Sequence, residues 1–341
     1  MHSLSVRRKD SNFSFMGKKF CIYPLTTLNV TVPHLTPCCF SMLSRRISPT
    51  LIINPDTPFD RVWNSASWTW WRKHIAADEY NYCEQCSQKS DFVTEEELRS
   101  LYPDIADEIM QYKNGDYSKL SAPSTMVLSF DHTCNLRCIT CRPSDRQVVK
   151  WDYVRLPQSV IEYVNKVKRV VIAGDGEVAV SPSYRKLLAA VGKDTKVTLM
   201  SNGTLLNMDF WGSLDEHVLR QIDRVHISCD GTTKEVYESI RLNGKFDQWL
   251  ENMSILMGLK SQYGWTTKMM YTVSKKNYAD FRNVGKFAHG IGFDELYVGL
   301  AAEWSRATPS GTWRTDQVLG DYERRLAGIV ARQIMSEYMP K

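Results

Sequence analysis

From residue 126 onward, short apolar runs alternate with longer amphipathic stretches in a regular order. Apolar runs stand at 126–130, 169–173, 196–200, 224–228, 267–273 and 295–300. Such runs are too short for buried helices and predict strands. Between them, apolar positions recur at helical spacing over 145–168, 183–191, 209–220, 234–241 with 246–263, and 278–289. Strand–helix alternation of this length predicts a parallel sheet with right-handed crossovers. The fold class is α/β, and six βα units suit a partial (β/α)6 TIM-like barrel or a doubly wound sheet. Either one gathers its chemistry at the C-terminal ends of the strands.

The N-terminal third reads differently. Residues 1–19 are expected to form a flexible tail, and 20–92 a small cysteine-rich domain. In that domain Ser65 opens a short helix, 66–77, that carries Trp68, Trp70 and Trp71. Aromatic side chains on a short amphipathic helix are read as packing the small domain onto the barrel rather than as stacking on bases. Residues 93–124 form a helical linker, with Thr94 and Glu97 placed for a capping box and Asn114-Gly115 for a stop. The barrel spans 125–300, and 301–341 supply a loop and a C-terminal helix from about 315 to 338.

Composition adds little to this picture. Apolar residues make up 43% of the 341 positions and charged residues 24%, which suits an ordinary globular chain and excludes a mainly disordered one. The net charge of +5 lacks the dense basic stripe of a nucleic-acid binder and speaks against such a partner. No stretch approaches the ~18 unbroken apolar residues of a membrane span, so no membrane partner is expected. The first residues show no apolar core of a secretory signal, and the protein is expected in the cytoplasm. There its nine cysteines stay reduced and read as metal ligands or buried apolar groups.

Eight of the nine cysteines fall into two regions. The first predicted strand runs into Asp131-His132-Thr133-Cys134-Asn135-Leu136-Arg137-Cys138-Ile139-Thr140-Cys141. Three thiolates on one short loop can hold three corners of a [4Fe–4S] cubane and leave the fourth iron open. The same residues with His132 can also make a Cys3His zinc site, and spacing alone leaves both readings open.

Several further segments, in order, resemble the radical SAM superfamily. Gly174-Asp175-Gly176-Glu177 follows the second strand and is similar to that superfamily's Gly-Gly-Glu turn. Ser201-Asn202-Gly203-Thr204 follows the third strand. Ser228-Cys229-Asp230-Gly231, with Tyr237 and Ile240-Arg241, follows the fourth. The resemblance covers about residues 125–300. It implies a [4Fe–4S] cluster on Cys134, Cys138 and Cys141 that binds S-adenosyl-L-methionine (SAM) at its open iron. Reductive cleavage would then give a 5′-deoxyadenosyl radical that abstracts a hydrogen atom from substrate, fed by a flavodoxin- or ferredoxin-type electron donor.

The residues implied to hold SAM are Thr140 through its carbonyl, Gly174, Asp175, Gly176, Glu177, Ser201, Asn202, Ser228, Asp230 and Arg241. Gly176 lets the backbone approach the SAM amino group, and Glu177 either accepts from that ammonium or braces its turn. Arg241 pairs with the SAM carboxylate or lies on the surface. Strand periodicity turns Cys229 away from the lumen as a buried filler. Tyr271, Tyr297, Glu303 and Trp304 are candidate lumen residues for specificity. This chain departs from the usual pattern at Thr140, where an aromatic or aliphatic residue is common, and at Asp175.

The second cysteine region is Cys21, then Pro37-Cys38-Cys39, Trp63-Asn64-Ser65, and Cys83-Glu84-Gln85-Cys86. Two distant cysteines and a Cys-x2-Cys pair make a four-thiolate site, for zinc or for [4Fe–4S]. The order resembles the SPASM or twitch auxiliary-cluster domains of radical SAM enzymes. That resemblance implies Cys21, Cys38, Cys83 and Cys86 as ligands of an auxiliary [4Fe–4S] cluster, with Cys39 the alternative to Cys38. Four thiolates make an electron relay, whereas three leave an iron open to substrate.

The function implied is that of a radical SAM oxidoreductase acting on a peptide in its oxidative modification or maturation. The alternatives are a dehydrogenase or epimerase of an amino sugar or other small polar metabolite, and a non-enzymatic zinc-binding scaffold.

Overall fold

The computed structural model describes residues 19–31, 34–36, 58–80, 92–117, 120–131, 133–141, 158–172, 176–301 and 317–338. Its centre is one sheet of β1 (Thr27–Thr31), β2 (His34–Thr36), β3 (Thr125–Leu128), β4 (Arg169–Ile172), β5 (Lys196–Ser201), β6 (Ile222–Ser228), β7 (Thr266–Val273) and β8 (Glu295–Leu300). The hydrogen-bonded order is β2-β1-β3-β4-β5-β6-β7-β8. β2 is antiparallel to β1, and every other neighbouring pair is parallel. From β3 onward each strand pairs with the next in sequence. The order reverses at β1, but there the antiparallel β1–β2 hairpin makes the reversal and no crossover does; among the described residues the parallel strands therefore wind in one direction, as in a partial barrel. Among the described residues β2 and β8 are its open edges.

All six expected strands form, with ends that agree or differ by at most two residues. β1 and β2 are additional to them. They lie within the segment 20–92 read as a separate cysteine-rich domain, yet Val30 pairs with Leu128 and Thr27 with Thr125. Their sequence signal is weak because polar Thr27, Asn29 and Thr31 interrupt the apolar run. All of Thr27 to Val30 are nonetheless buried.

The helices are α1 (Tyr23–Thr26), α2 (Phe59–Trp63), α3 (Ala66–Ala76), α4 (Glu95–Leu101), α5 (Ala106–Lys113), α6 (Gln158–Val164), α7 (Pro182–Ala189), α8 (Met208–Gly212), α9 (Glu216–Gln221), α10 (Lys234–Ile240), α11 (Phe246–Tyr263), α12 (Val284–Ile291) and α13 (Asp321–Tyr338). Local chemistry sets their ends. The Ser65 hydroxyl accepts from Trp68 N at the start of α3, and Thr94 with Glu97 forms the expected capping box on α4. Gly264, at φ +73°, closes α11 in the left-handed region. The single helix expected over 209–220 is broken at Ser213-Leu214-Asp215 into α8 and α9, with Asp215 as the new N-cap.

Alternation along the strands sorts the side chains. Val170, Leu199, Ile227, Met269 and Val298 are buried on one face, while most alternate residues on the other face, the buried Thr198 excepted, stay partly accessible and take the phase that lines the barrel lumen. Tyr271 belongs to the buried face: it is 1% exposed and its hydroxyl donates to Asp280 Oδ2 at 2.8 Å. It is therefore not a lumen residue, because Met270 and Thr272 take the lumen phase of β7. Tyr297 is in the lumen phase of β8 and 51% exposed.

Trp63, Trp68 and Trp71 are buried, and Trp70 is 41% exposed against His74. Trp68 joins the main core and Trp71 a small cluster with Cys21 and Ile75. Between them lies a buried Arg72, which no sequence pattern announces. Its Nε donates to Pro24 O and its Nη1 to Trp63 O, both at 2.7 Å, and its guanidinium lies 3.9 Å from the Trp63 ring centroid. Burial lowers its pKa to about 9, against the pull of Tyr112 and Glu108. Among the described residues, no helix is long and apolar enough to cross a membrane.

Candidate active site

The Cys134–Cys141 loop leaves the C-terminal end of β3 and is fastened on three sides. On the first, Asp131 is buried, accepts Thr133 N at 2.9 Å and is hydrogen-bonded by the Ser181 hydroxyl. Tyr184 Oη accepts Phe130 N at 3.2 Å. On the second, Glu177 N donates to Thr133 O at 2.8 Å. A Cβ on Gly176 would run into the Asp131 carbonyl oxygen and lie 2.7 Å from the same Thr133 carbonyl oxygen. Glycine is thus required because the cysteine loop presses on this backbone, whatever room SAM needs there.

On the third side, Ile139 N donates to Ile240 O at 2.9 Å and Arg137 N to Leu242 O at 3.0 Å. These two bonds are rungs of an antiparallel contact, and they set Cys138 opposite Arg241. Cys134 is half-buried and Cys141 exposed. The Cys138 thiol, half-buried like Cys134, is pushed up to about 12 by loss of hydration, with the Arg241 guanidinium pulling it down.

A second layer of contacts binds the loops after β4 and β5. Glu177 is 1% exposed. Its Oε1 accepts the Ser201 hydroxyl at 2.7 Å and Ala179 N at 3.2 Å, and its Oε2 accepts Asn202 N at 2.7 Å. Burial raises its pKa, and these three donors oppose that shift. Through these bonds Glu177 ties its own turn to the loop after β5. Asn202 Nδ2 donates to Asn135 Oδ1 at 2.9 Å and stands 3.8 Å from Cys134 Sγ. Asn135 Nδ2 donates to Thr204 Oγ1 at 2.8 Å, and Thr204 Oγ1 donates to Asn202 Oδ1 at 2.6 Å. From α11, Asn252 Nδ2 donates to Gly203 O and Thr204 O. Sequence reasoning misses Asn135 and Asn252. The one signal it offers is Asn252, a polar residue set between Trp249, Met253 and Leu256 on an apolar helix face.

Arg241 departs from one of the two expectations for it. It is not a surface residue: it is 7% exposed. Its Nη2 is already 2.8 Å from Asp230 Oδ2, so its first carboxylate partner lies within the chain. Burial acts to lower its pKa, but Asp230 and then Cys138 outweigh that and hold it above the usual arginine range. Asp230 Oδ1 accepts Thr272 N at 3.0 Å. Ser228 is half-buried in the lumen phase of β6, and Thr140 lies partly exposed in the turn that closes on Cys141. Cys229 is fully buried and its thiol donates to Gly231 O at 3.1 Å, as a filler would. Gly174, Asp175, His132, Glu303 and Trp304 lie outside the described residues, as do Cys38, Cys39, Cys83 and Cys86.

Two buried polar atoms beside Cys138, Arg241 Nε and Tyr237 Oη, have no hydrogen-bond partner among the described residues. Orphaned buried donors are costly and mark a place where a further acceptor fits. A thiolate-held cluster and the carboxylate of SAM are both such acceptors. Among the described residues, no three His, Cys, Asp or Glu side chains are grouped to bind one metal ion. A cubane makes no such demand, since its thiolates bind different irons.

Residues 128–288 match the family described as the radical SAM superfamily. A probable GTP 3′,8-cyclase of Sulfurisphaera tokodaii is 27% identical over 184 residues, which cover 50% of this chain and 54% of that protein. The chain thus spans about half the length of this curated relative. Among solved structures, Streptococcus suis SuiB bound to S-adenosylmethionine is 16% identical, with a TM-score of 0.49 over 80% of this chain and 60% of that one. Native anSMEcpe with bound AdoMet is 18% identical, with a TM-score of 0.38 over 52% of each chain.

Proposed function

With residues 128–288 a radical SAM domain, we propose that the chain is an enzyme that cleaves SAM reductively and takes a hydrogen atom from a peptide or small polar substrate. One observation carries this reading: the cysteine loop is fastened to the Glu177 turn and to Ile240–Leu242, which gathers Cys134, Cys138, Asn202 and Arg241 at the strand ends. Cys134, Cys138 and Cys141 would hold the SAM-binding [4Fe–4S] cluster. Arg241 Nε, free of Asp230, would meet the SAM carboxylate. Ser201, Asn202 and Ser228 would contact its ribose or amino acid end, and Thr140 its adenine. Glu177 and Asp230 would hold those groups in place. When bound, the cluster and SAM would supply a 5′-deoxyadenosyl radical.

The same reading assigns an auxiliary [4Fe–4S] cluster to Cys21, Cys38 or Cys39, Cys83 and Cys86. Its support is the setting of Cys21. The thiol is buried with Trp71 and Ile75, and Cys21 N donates to Tyr80 Oη at 3.3 Å. The Tyr80 and Phe92 rings lie 5.1 Å apart, so residues flanking the segment with Cys83 and Cys86 stand beside Cys21. β2 ends at Thr36 opposite Asn29, two residues before Cys38 and headed back toward the start of β1. An auxiliary cluster suits an oxidation, in which an electron must leave the substrate, and a flavodoxin or ferredoxin would feed the first cluster. The similarity to a probable GTP 3′,8-cyclase favours a second reading, with a nucleotide as substrate.

Iron and sulfide counts after anaerobic purification test the proposal. About eight irons per chain, falling to about four in a Cys134→Ala/Cys138→Ala/Cys141→Ala variant that no longer forms 5′-deoxyadenosine, is the expected result. Zinc without sulfide in the wild type would overturn it in favour of a zinc scaffold.

A further inference from the structure

Below the level of Ser228 the lumen face turns from small polar groups to charge. The parallel register sets Thr198 beside Arg224, His226 beside Lys268, and Lys268 beside Glu295 across β5 to β8. His226 lies two residues before Ser228 on the same face, about 7 Å down the strand from it. Register on β6 slips by one residue, so that Val197 pairs with Ile222 but Thr198 with Arg224. Asp223 is the extra residue of this bulge, and it receives both Nη atoms of Arg169, at 2.7 and 2.6 Å. That pair is complete.

The next one is not. Arg224 at 3.4 Å and Lys268 at 2.5 Å share the single carboxylate of Glu295. Two cations on one anion leave a surplus positive charge. The side chains of Arg224, Lys268 and Glu295 are 42%, 25% and 36% exposed, so solvent and small ions reach them. His226, wedged among these groups, is held down to about 4, first by burial and then by Lys268 and Arg224. It is neutral near pH 7 and can donate or accept one hydrogen bond there.

We propose that Arg224, Lys268 and His226 form an anion subsite in the lumen, which holds a carboxylate or phosphate of the substrate below the reacting end of SAM. The cations supply the charge, Glu295 keeps them apart and directed, and His226 supplies a neutral hydrogen bond that fixes orientation. The role as a substrate subsite rests on the radical SAM reading; anion binding itself does not. An anion seated there would offset the neighbouring cations and raise the affinity of His226 for a proton.

The test uses the full-length, anaerobically purified protein labelled with 13C and 15N at histidine. The His226 signal is identified by its loss in His226→Gln. Inorganic phosphate and acetate are titrated separately, against chloride at matched ionic strength. The expected result is a saturable shift of the His226 signal toward the imidazolium position, with a midpoint pH above that of the free protein. Arg224→Met and Lys268→Met should each weaken the response about tenfold, the equivalent of one well-placed charge contact, while Arg224→Lys and Lys268→Arg should retain it. A response to phosphate alone assigns a phosphoester substrate, and one to acetate assigns a carboxylate. Silence with both anions, or a response that survives the Met variants, overturns the proposal. SAM cleavage in the same preparation separates the two levels. If cleavage is absent while the His226 response stands, the enzymatic reading falls and the anion site remains.

Discussion

The depressed basicity of His226 has a consequence that needs no substrate to observe. Its pKa falls to about 4, from burial foremost and then from Lys268 and Arg224, against the opposing carboxylate of Glu295. In the unfolded chain the same imidazole titrates near 6.5. Between those values the unfolded state holds the proton and the folded state does not. Stability therefore rises with pH over this window. The contribution of His226 is in full force above the unfolded value and is lost as pH falls toward the folded one. A gap of about 2.5 units corresponds to about 3 kcal/mol, of which about 2 kcal/mol should disappear between pH 7 and pH 5. His226→Gln removes the titration and should leave the rest of the pH dependence in place. Urea unfolding of both proteins, followed anaerobically by tryptophan fluorescence at pH 7, 6 and 5, gives the difference directly. Acid lability shared by the two proteins cancels in that comparison. The variant should gain on the wild type by about 2 kcal/mol over the range. Parallel curves, with a spacing constant to within about 0.5 kcal/mol, would refute the placement of His226 among uncompensated cations.

Two further substitutions test the scaffold of the cysteine loop. Gly176→Ala drives a methyl group against the Asp131 and Thr133 carbonyl oxygens, so it should cost about 1–3 kcal/mol in thermal or urea unfolding and lower the iron bound per chain; a normal iron content would show that the loop can give way. Asp230→Asn leaves Arg241 buried without its anion and should destabilise by about 3–5 kcal/mol, with much of the loss recovered in Asp230→Asn/Arg241→Met. An additive double variant would mean that the two side chains do not depend on each other.

How far the sequence speaks for itself varies with the range of the interaction. The strands from 125 to 300 are legible because each is a contiguous apolar run, and the capping box at Thr94 because its two members are three residues apart. β1 is not, since its burial depends on β3, which follows about a hundred residues later. The phase of a strand is equally a tertiary fact. Tyr271 and Tyr297 look alike in sequence, yet one bonds Asp280 in the core and the other faces the lumen. The residue types of the candidate site are visible in the sequence, but their division of labour is not. Glu177 and Arg241 spend their strongest bonds on Ser201, Asn202 and Asp230, and pairing of that kind is set only when separate loops meet. Arg72 reads as an ordinary helix-surface cation, because nothing local announces that Trp63 and Pro24 will enclose it.

The parallel pairing of β1 with β3 also bears on how the chain comes into being. Val30 is made early, while its partner Leu128 follows about a hundred residues later. At the usual pace of translation, roughly 5–20 residues per second, β1 must wait several seconds as an unmatched strand on the ribosome. During that interval β2 is, among the described residues, the one strand partner already synthesised, and the short β1–β2 hairpin can occupy part of its exposed backbone. The hairpin thus offers temporary cover for the nascent chain at the point where it is most open to pairing with the wrong neighbour.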